Sequence, residues 1–219
     1  MPNFNINKKI GKIFNNHSVN NIKNTVNSTT NSVESFVKNI IKETQNYSNL
    51  KELNIFLESI TQKTNEFIKL DNNLYKIDDY YFNIGKKFKM YSHANRLKKI
   101  DNLELTSAPK FIAYSDLKNN TDCLLITQIK DSKNIELLPY NNMKSDITLE
   151  AKQNFIDDVN KLLKTDEINI DFLDTNNWYV VPSTKRIVIS NWANFVNCDN
   201  EIEKSNFRTK ISNLCGLIY

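Results

Sequence analysis

The residues with the most chemical potential in this chain lie together near its C-terminal end, in Ile168–Phe195, INIDFLDTNNWYVVPSTKRIVISNWANF. Asp171 is followed five positions on by Asn176, with Asp174 between them and Asn177 just beyond. An apolar run (Trp178–Val181), a turn at Pro182 and Ser183, and a second run (Arg186–Ile189) come next, and then the polar–aromatic pair Asn191-Trp192. Apolar runs flanking turn residues predict a β-hairpin, so the acidic loop feeds one strand and Asn191 leaves the other. A carboxylate presented this way can accept or orient a proton. Carboxamide oxygens beside it can approach a hard cation, though less strongly than carboxylates do. Asp174–Asn177 also has the composition of a turn in which Asp accepts from its own backbone.

Other chemistries find less support. His17 and His93 are far apart, and neither an HExxH nor a GxxxxGK[ST] run occurs. Ser190 lacks the GxSxG elbow. Cys123, Cys198 and Cys215 form no CxxC pair and have no companion histidines, which argues against zinc and for buried thiols in a reducing compartment. The net charge of +4 over 219 residues is mild and reads as dispersed. The aromatic residues between Tyr80 and Tyr91 have no tightly interleaved basic stripe, so nucleic-acid binding is not expected.

The elements that position the loop follow from periodicity. Residues 1–30 are rich in Asn, Ser, Thr and Lys and weakly patterned, which predicts disorder or a fraying helix. Val33, Phe36, Val37, Ile40 and Ile41, and then Leu50, Leu53, Phe56, Leu57, Ile60, Phe67 and Ile68, recur at helical spacing. They predict amphipathic helices over 31–45 and 49–68. Leu74–Ile77 and Tyr80–Ile84 read as a hairpin about Asp78-Asp79, 92–101 as a short helix with a basic face, and Lys110–Tyr114 and Cys123–Ile129 as strands. Helices are expected over 148–164, capped by Thr148, and over 200–214. The chain is thus α+β, with an N-terminal helical extension over 1–69 and one domain over 70–219.

The order β-β-α-β-β, connector, helix, loop and hairpin over residues 70–200 resembles a protein-kinase-like fold of the aminoglycoside-phosphotransferase type. In size it is similar to the minimal bacterial effector kinases. Ser107–Lys133, SAPKFIAYSDLKNNTDCLLITQIKDSK, looks like that family's fourth and fifth strands running into the hinge. The resemblance implies two lobes, the first a small antiparallel sheet and the second a reduced helical lobe. It also implies ATP- and Mg2+-dependent transfer of a phosphoryl group to a protein hydroxyl. It makes Asp171 the catalytic carboxylate, with Asp174 as a rival. It sets Asn176 or Asn177, and Asn191, at the metal, and adenine against the backbone near Gln128 and Ile129. Asn83 fills the slot of the family's phosphate-contacting lysine, which Lys76, Lys86 or Lys87 would have to serve from neighbouring positions.

The chain also departs from the family pattern. Asn191 replaces an acid, the 92–101 helix has Asn95 near the place of a glutamate, and the glycines are limited to Gly11, Gly85 and Gly216, so no glycine-rich loop exists. These departures fit a pseudokinase, which keeps the fold and binds without transfer, nearly as well as an active enzyme. A third reading is an interaction protein built on the helical hairpin 31–68. The expected partner is a protein, of a host cell if the chain is a secreted effector. No apolar run approaches the roughly 20 residues of a bilayer span, and no signal-peptide pattern opens the chain. The expected location is soluble, either cytoplasmic or secreted without a classical signal, with residues 1–17 as a candidate address segment.

Overall fold

Two amphipathic helices build the cover of a sheet. In α1 (Thr29–Thr44), Phe36, Val37 and Ile40 are buried. In α2 (Leu50–Thr61), Leu53, Phe56, Leu57 and Ile60 are buried. Asn49 caps α2 by accepting from the Glu52 amide at 3.1 Å, and Glu52 returns a bond to the Ser48 amide at 2.8 Å. This computed structural model describes residues 29–133 and 135–217. The expected disorder of 1–30 and the candidate address segment therefore lie outside the described residues, apart from Thr29 and Thr30, which belong to α1.

The second helix ends at Thr61 and not at 68 as expected. Phe67–Asp71 is a strand, β1, with Phe67 buried and Ile68 exposed. The segment Thr61–Asn65 has no apolar residue to continue the helical stripe. Phe67 instead pairs across from Ile77 and stacks on Tyr75, with ring centroids 5.6 Å apart. A boundary at residue 69 falls inside this strand.

The sheet continues with β2 (Leu74–Ile77), β3 (Tyr80–Lys86), β4 (Lys110–Asp116) and β5 (Asp122–Gln128). It is fully antiparallel in the order β1-β2-β3-β5-β4. Helix α3 (Lys87–Ile100) follows β3 directly and begins five residues before the expected 92. Helices α1 and α2 cover one face, packing Phe36, Ile40, Leu53 and Phe56 on Phe67, Tyr75, Phe82 and Leu124. Strand alternation therefore turns Lys76, Tyr81 and Asn83 to the opposite face.

The second half contains β6 (Leu138–Pro139), α4 (Tyr140–Met143), α5 (Leu149–Leu163), β7 (Glu167–Asn169), β8 (Trp178–Val181), β9 (Arg186–Ile189), β10 (Phe195–Asn197) and α6 (Glu201–Leu214). Strands β6-β8-β9 form one small sheet and β7-β10 another. Phe155, Phe172, Trp178, Trp192 and Phe207 fill the core between α5, α6 and the hairpin. A five-stranded antiparallel sheet with a helix between its third and fourth strands, then a connector and a half built of α4, α5, α6 and the two small sheets, is the two-lobed kinase-like fold.

Candidate functional site

The acidic loop is shaped by asparagines. β7 and β10 pair with Asn169 opposite Phe195. The buried Asn169 side chain accepts from the Asp171 amide at 3.0 Å and donates to the Asn191 carbonyl at 3.1 Å. Asp171 is buried, and its carboxylate accepts from Asn194 twice, from Nδ2 at 2.9 Å and from the backbone amide at 3.3 Å. Asn177 Nδ2 donates to the Asp171 carbonyl at 3.4 Å, and the Asn177 carbonyl accepts from the Ser190 amide at 2.9 Å. Asn191 Oδ1 accepts from the Ala193 amide at 3.3 Å. Asp171, Asn177 and Asn191 thus share one network. Asp174 and Asn176 turn outward, where Asp174 Oδ1 accepts from the Asn176 amide at 3.0 Å and starts a short 3-10 turn.

The lysines go elsewhere. Lys76 is buried, donates to the carbonyls of Ser132 and Ile135, and lies 5.3 Å from the Tyr81 ring centroid. Burial lowers its pKa, against the pull of Asp78, Asp79 and Glu136. Lys86 is exposed and pairs with Asp122 at 2.7 Å. Asn83 is half-buried and faces Leu125 in the sheet register. These partners tie both lysines to the first lobe and its connector, away from the acidic loop.

The connector backbone is bonded internally. Gln128 Nε2 donates to Asp79 at 2.9 Å, and the Ile129 amide donates to the Asp79 carbonyl at 2.9 Å. The Ile129 carbonyl accepts from Ser132 Oγ at 2.7 Å. The Arg186 guanidinium donates to the carbonyls of Lys130 and Thr106. Beside this connector, Tyr81, Ile129, Val181 and Val188 form one buried apolar cluster, with Leu70, Leu74 and Leu137 packed on it. Tyr81 comes from the first lobe and the valines from the β8–β9 hairpin, so side chains of both lobes meet where the resemblance sets adenine.

Helix α3 reaches the acidic loop directly. Ser92 Oγ donates to the Ala193 carbonyl at 3.3 Å. Arg96 pairs with Glu167 and lies 3.8 Å from the Phe195 ring centroid, and Lys99 reaches the same carboxylate at 2.9 Å. Burial would raise the Glu167 carboxyl, but the bonds and charges of Arg96 and Lys99 outweigh it and hold its pKa below the usual range. A second bridge is made by Asp158 of α5, buried and accepting from the Ser107 amide at 2.7 Å and Thr106 Oγ1 at 2.9 Å.

The donor set at the loop fits Mg2+ poorly. It offers one carboxylate, already bonded to Asn194, among neutral amides, whereas hard cations favour several anionic oxygens. Sequence reasoning singled out neither Asn169 nor Asn194. Nothing distinguishes them in an asparagine-rich chain except their places two residues before Asp171 and three after Asn191. Tyr81 was legible only as a β-prone aromatic.

No protein-family model matches the chain, and no curated protein matches it. Two solved structures are similar in backbone. One is WbdD in a co-crystal with a kinase inhibitor, with a TM-score of 0.43 and 12% identity, covering 69% of this chain and 40% of that one. The other is vaccinia related kinase 3, with a TM-score of 0.39 and 13% identity, covering 60% of this chain and 47% of that one. The chain spans less than half the length of either. Among the described residues no helix is long and apolar enough to cross a membrane.

Proposed function

We propose that this chain is a kinase-fold protein that works by holding a protein partner and does not transfer phosphoryl groups. The observation that carries this reading is the buried cluster of Tyr81, Ile129, Val181 and Val188 at the position the resemblance gives to adenine. A nucleotide entering there has to displace a tyrosine and compete with the bonds that Asp79, Ser132 and Arg186 make to the connector. Asn83 and Asn191, neutral where phosphoryl transfer relies on a lysine and an acid, support the same conclusion. In this reading the helical hairpin of α1 and α2 braces the five-stranded sheet of the first lobe. The partner belongs to the compartment in which the protein acts, cytoplasmic or, for a secreted effector, a host cell.

A phosphotransferase reading is favoured by one observation, the gathering of Asp171, Asn177 and Asn191 in a single network. There Asp171 would orient the acceptor hydroxyl, and Asn177 and Asn191 would hold the cation of Mg-ATP.

The two readings separate in one experiment with the full chain. Thermal unfolding is followed with and without millimolar Mg-ATP, and label transfer from the γ-phosphate is measured onto the protein itself and onto mixed protein acceptors. The binding reading expects no shift in Tm and no transfer. A clear rise in Tm with Mg-ATP, together with transfer that Asp171→Ala abolishes and Asp174→Ala retains, would sink it.

A further inference from the structure

The first lobe carries a surface that its fold does not need. Residues 86–100 include Lys86, Lys87, Lys89, Arg96, Lys98 and Lys99 and no Asp or Glu. Removing those six cations from the net charge of +4 leaves −2 for the remainder of the chain, so the excess positive charge is concentrated here. Helix α3 starts with lysines, has no acid in its first turn and receives no side-chain cap. Lysines there oppose the helix dipole, so helix stability does not explain them. Two large aromatic side chains beside them are left in solvent, Phe88 at 92% exposure and Tyr91 at 52%.

Lys86, Lys87, Phe88, Tyr91, Arg96 and Lys99 line an open groove of about 910 Å³ along α3, and Thr121 of the β4–β5 turn belongs to its wall. Lys86, Lys87, Arg96 and Lys99 stand around Phe88 and Tyr91, and no carboxylate lines it. Asp122, Asp116 and Glu167 bond four of these cations and fix their positions. The four lining cations against these three carboxylates leave a modest surplus of positive charge, while Lys98 is turned to the Phe111 ring.

We propose that this groove is a docking surface for a partner protein, which it takes by a short segment that combines acidic side chains with large apolar ones. The apolar floor would bury the segment's anchors, and the cationic rim would pair with its carboxylates. Such an aromatic centre with a charged rim is the usual division of labour in an interface. A surplus of this size suits a short acidic segment. It falls short of the 6–10 phosphate contacts of a typical nucleic-acid site. Because Arg96 and Lys99 also hold Glu167, a bound carboxylate would compete for the contact that joins α3 to the acidic loop.

This inference rests on the binding reading only in taking the partner to be a protein, and its test uses no nucleotide. The probe is a displayed library of random 16-residue peptides, selected on the full chain and counter-selected on the Phe88→Ala/Tyr91→Ala variant. Phe88 is exposed and Tyr91 makes one edge-on ring contact, with Tyr114, so the variant should keep the wild-type circular dichroism and lose little in Tm. The expected result is enrichment of peptides rich in Asp and Glu with aromatic or aliphatic anchors. The affinity of an enriched synthetic peptide should fall about tenfold or more in the double variant and about threefold in Lys99→Glu, and should weaken with salt. The proposal is overturned by no enrichment, by enriched peptides without acidic residues, or by equal binding to wild type and variants. It is also overturned if phosphatidylserine vesicles or single-stranded DNA bind through Phe88 and Lys99 while no peptide is enriched.

Discussion

If Tyr81 stands where a nucleotide would go, removing its ring should both weaken the fold and open a site. Tyr81 is 6% exposed and packs on Ile129, Val181 and Val188. Truncating a buried aromatic ring to alanine costs about 3–5 kcal/mol. The Lys76 ammonium, 5.3 Å from the ring centroid and buried, adds about 1–2 kcal/mol of cation–π attraction that is lost with the ring. Tyr81→Ala should therefore destabilise by about 4 kcal/mol or more, measured by urea unfolding at equilibrium. Tyr81→Phe is the control. The buried tyrosine hydroxyl faces Ser132 Oγ, which donates its own hydrogen to the Ile129 carbonyl and keeps lone pairs for the phenol. Tyr81→Phe keeps the ring and removes only the hydroxyl and its contact with Ser132, so it should cost about 1 kcal/mol or less. The second arm adds adenosine. At ten times its dissociation constant a ligand adds about 1.4 kcal/mol, or roughly 3–5 °C in Tm for a chain of this size. Adenosine should stabilise Tyr81→Ala and leave wild type unchanged. A cost below about 1 kcal/mol for Tyr81→Ala would refute the packing estimate. An equal adenosine shift in wild type would refute the claim that the ring fills the site.

Two further outcomes follow from buried polar groups that join elements. Asp158→Ala strands the buried Ser107 amide and frees Thr106, and should cost about 2–4 kcal/mol by urea unfolding, whereas Asp158→Asn keeps an acceptor and should cost less than half of that. His93 has a buried Nε2 without a partner, and burial, aided by Lys89, pushes its pKa down from 6.5 to about 4. The unfolded chain then binds a proton that the folded chain refuses. Stability should be full above pH 6.5 and should fall by up to about 3 kcal/mol as pH drops toward 4, and His93→Gln should flatten that slope.

Where sequence signals are local, the fold was legible to the residue. Strands Trp178–Val181 and Arg186–Ile189 appear with the bounds that their apolar runs and the Pro182–Ser183 turn predict. Thr148 caps α5 as its position suggested, accepting from the Ala151 amide at 3.1 Å. The errors arose where two periods fit the same residues. Phe67 and Ile68 sit at helical spacing from Ile60, yet their burial alternates as in a strand. The start of α3 was hidden because Lys87–Tyr91 reads as aromatic strand with charges that disfavour a helix N-terminus. The basic excess of that helix was visible, but the total charge read as dispersed because acids elsewhere cancel it. At the site, the order of motifs was enough to bring Asp171, Asn177 and Asn191 together. The partners of Lys76 lie 56 and 59 residues away in the chain, and only the folded connector places their carbonyls. The filling of the seam by Tyr81 depends equally on how the two lobes approach, which no local pattern encodes.

The asparagines also explain how the acidic loop holds its shape. Carboxylates crowded into one loop repel and must share protons or a cation to coexist. Asparagine donates as well as accepts, so it can satisfy a neighbour without an ion. Here Asn194 gives two bonds to the one carboxylate of Asp171, Asn177 gives one to the Asp171 carbonyl, and Asn169 ties Asp171 to Asn191. Each amide thus replaces an electrostatic demand with an internal bond. The loop then presents β7 and β10 as a stable base for α3, through Glu167 and Phe195 against Arg96. Neutral amides in the acidic loop thus stiffen the support behind the groove on α3, which is what the binding reading proposed above requires of them.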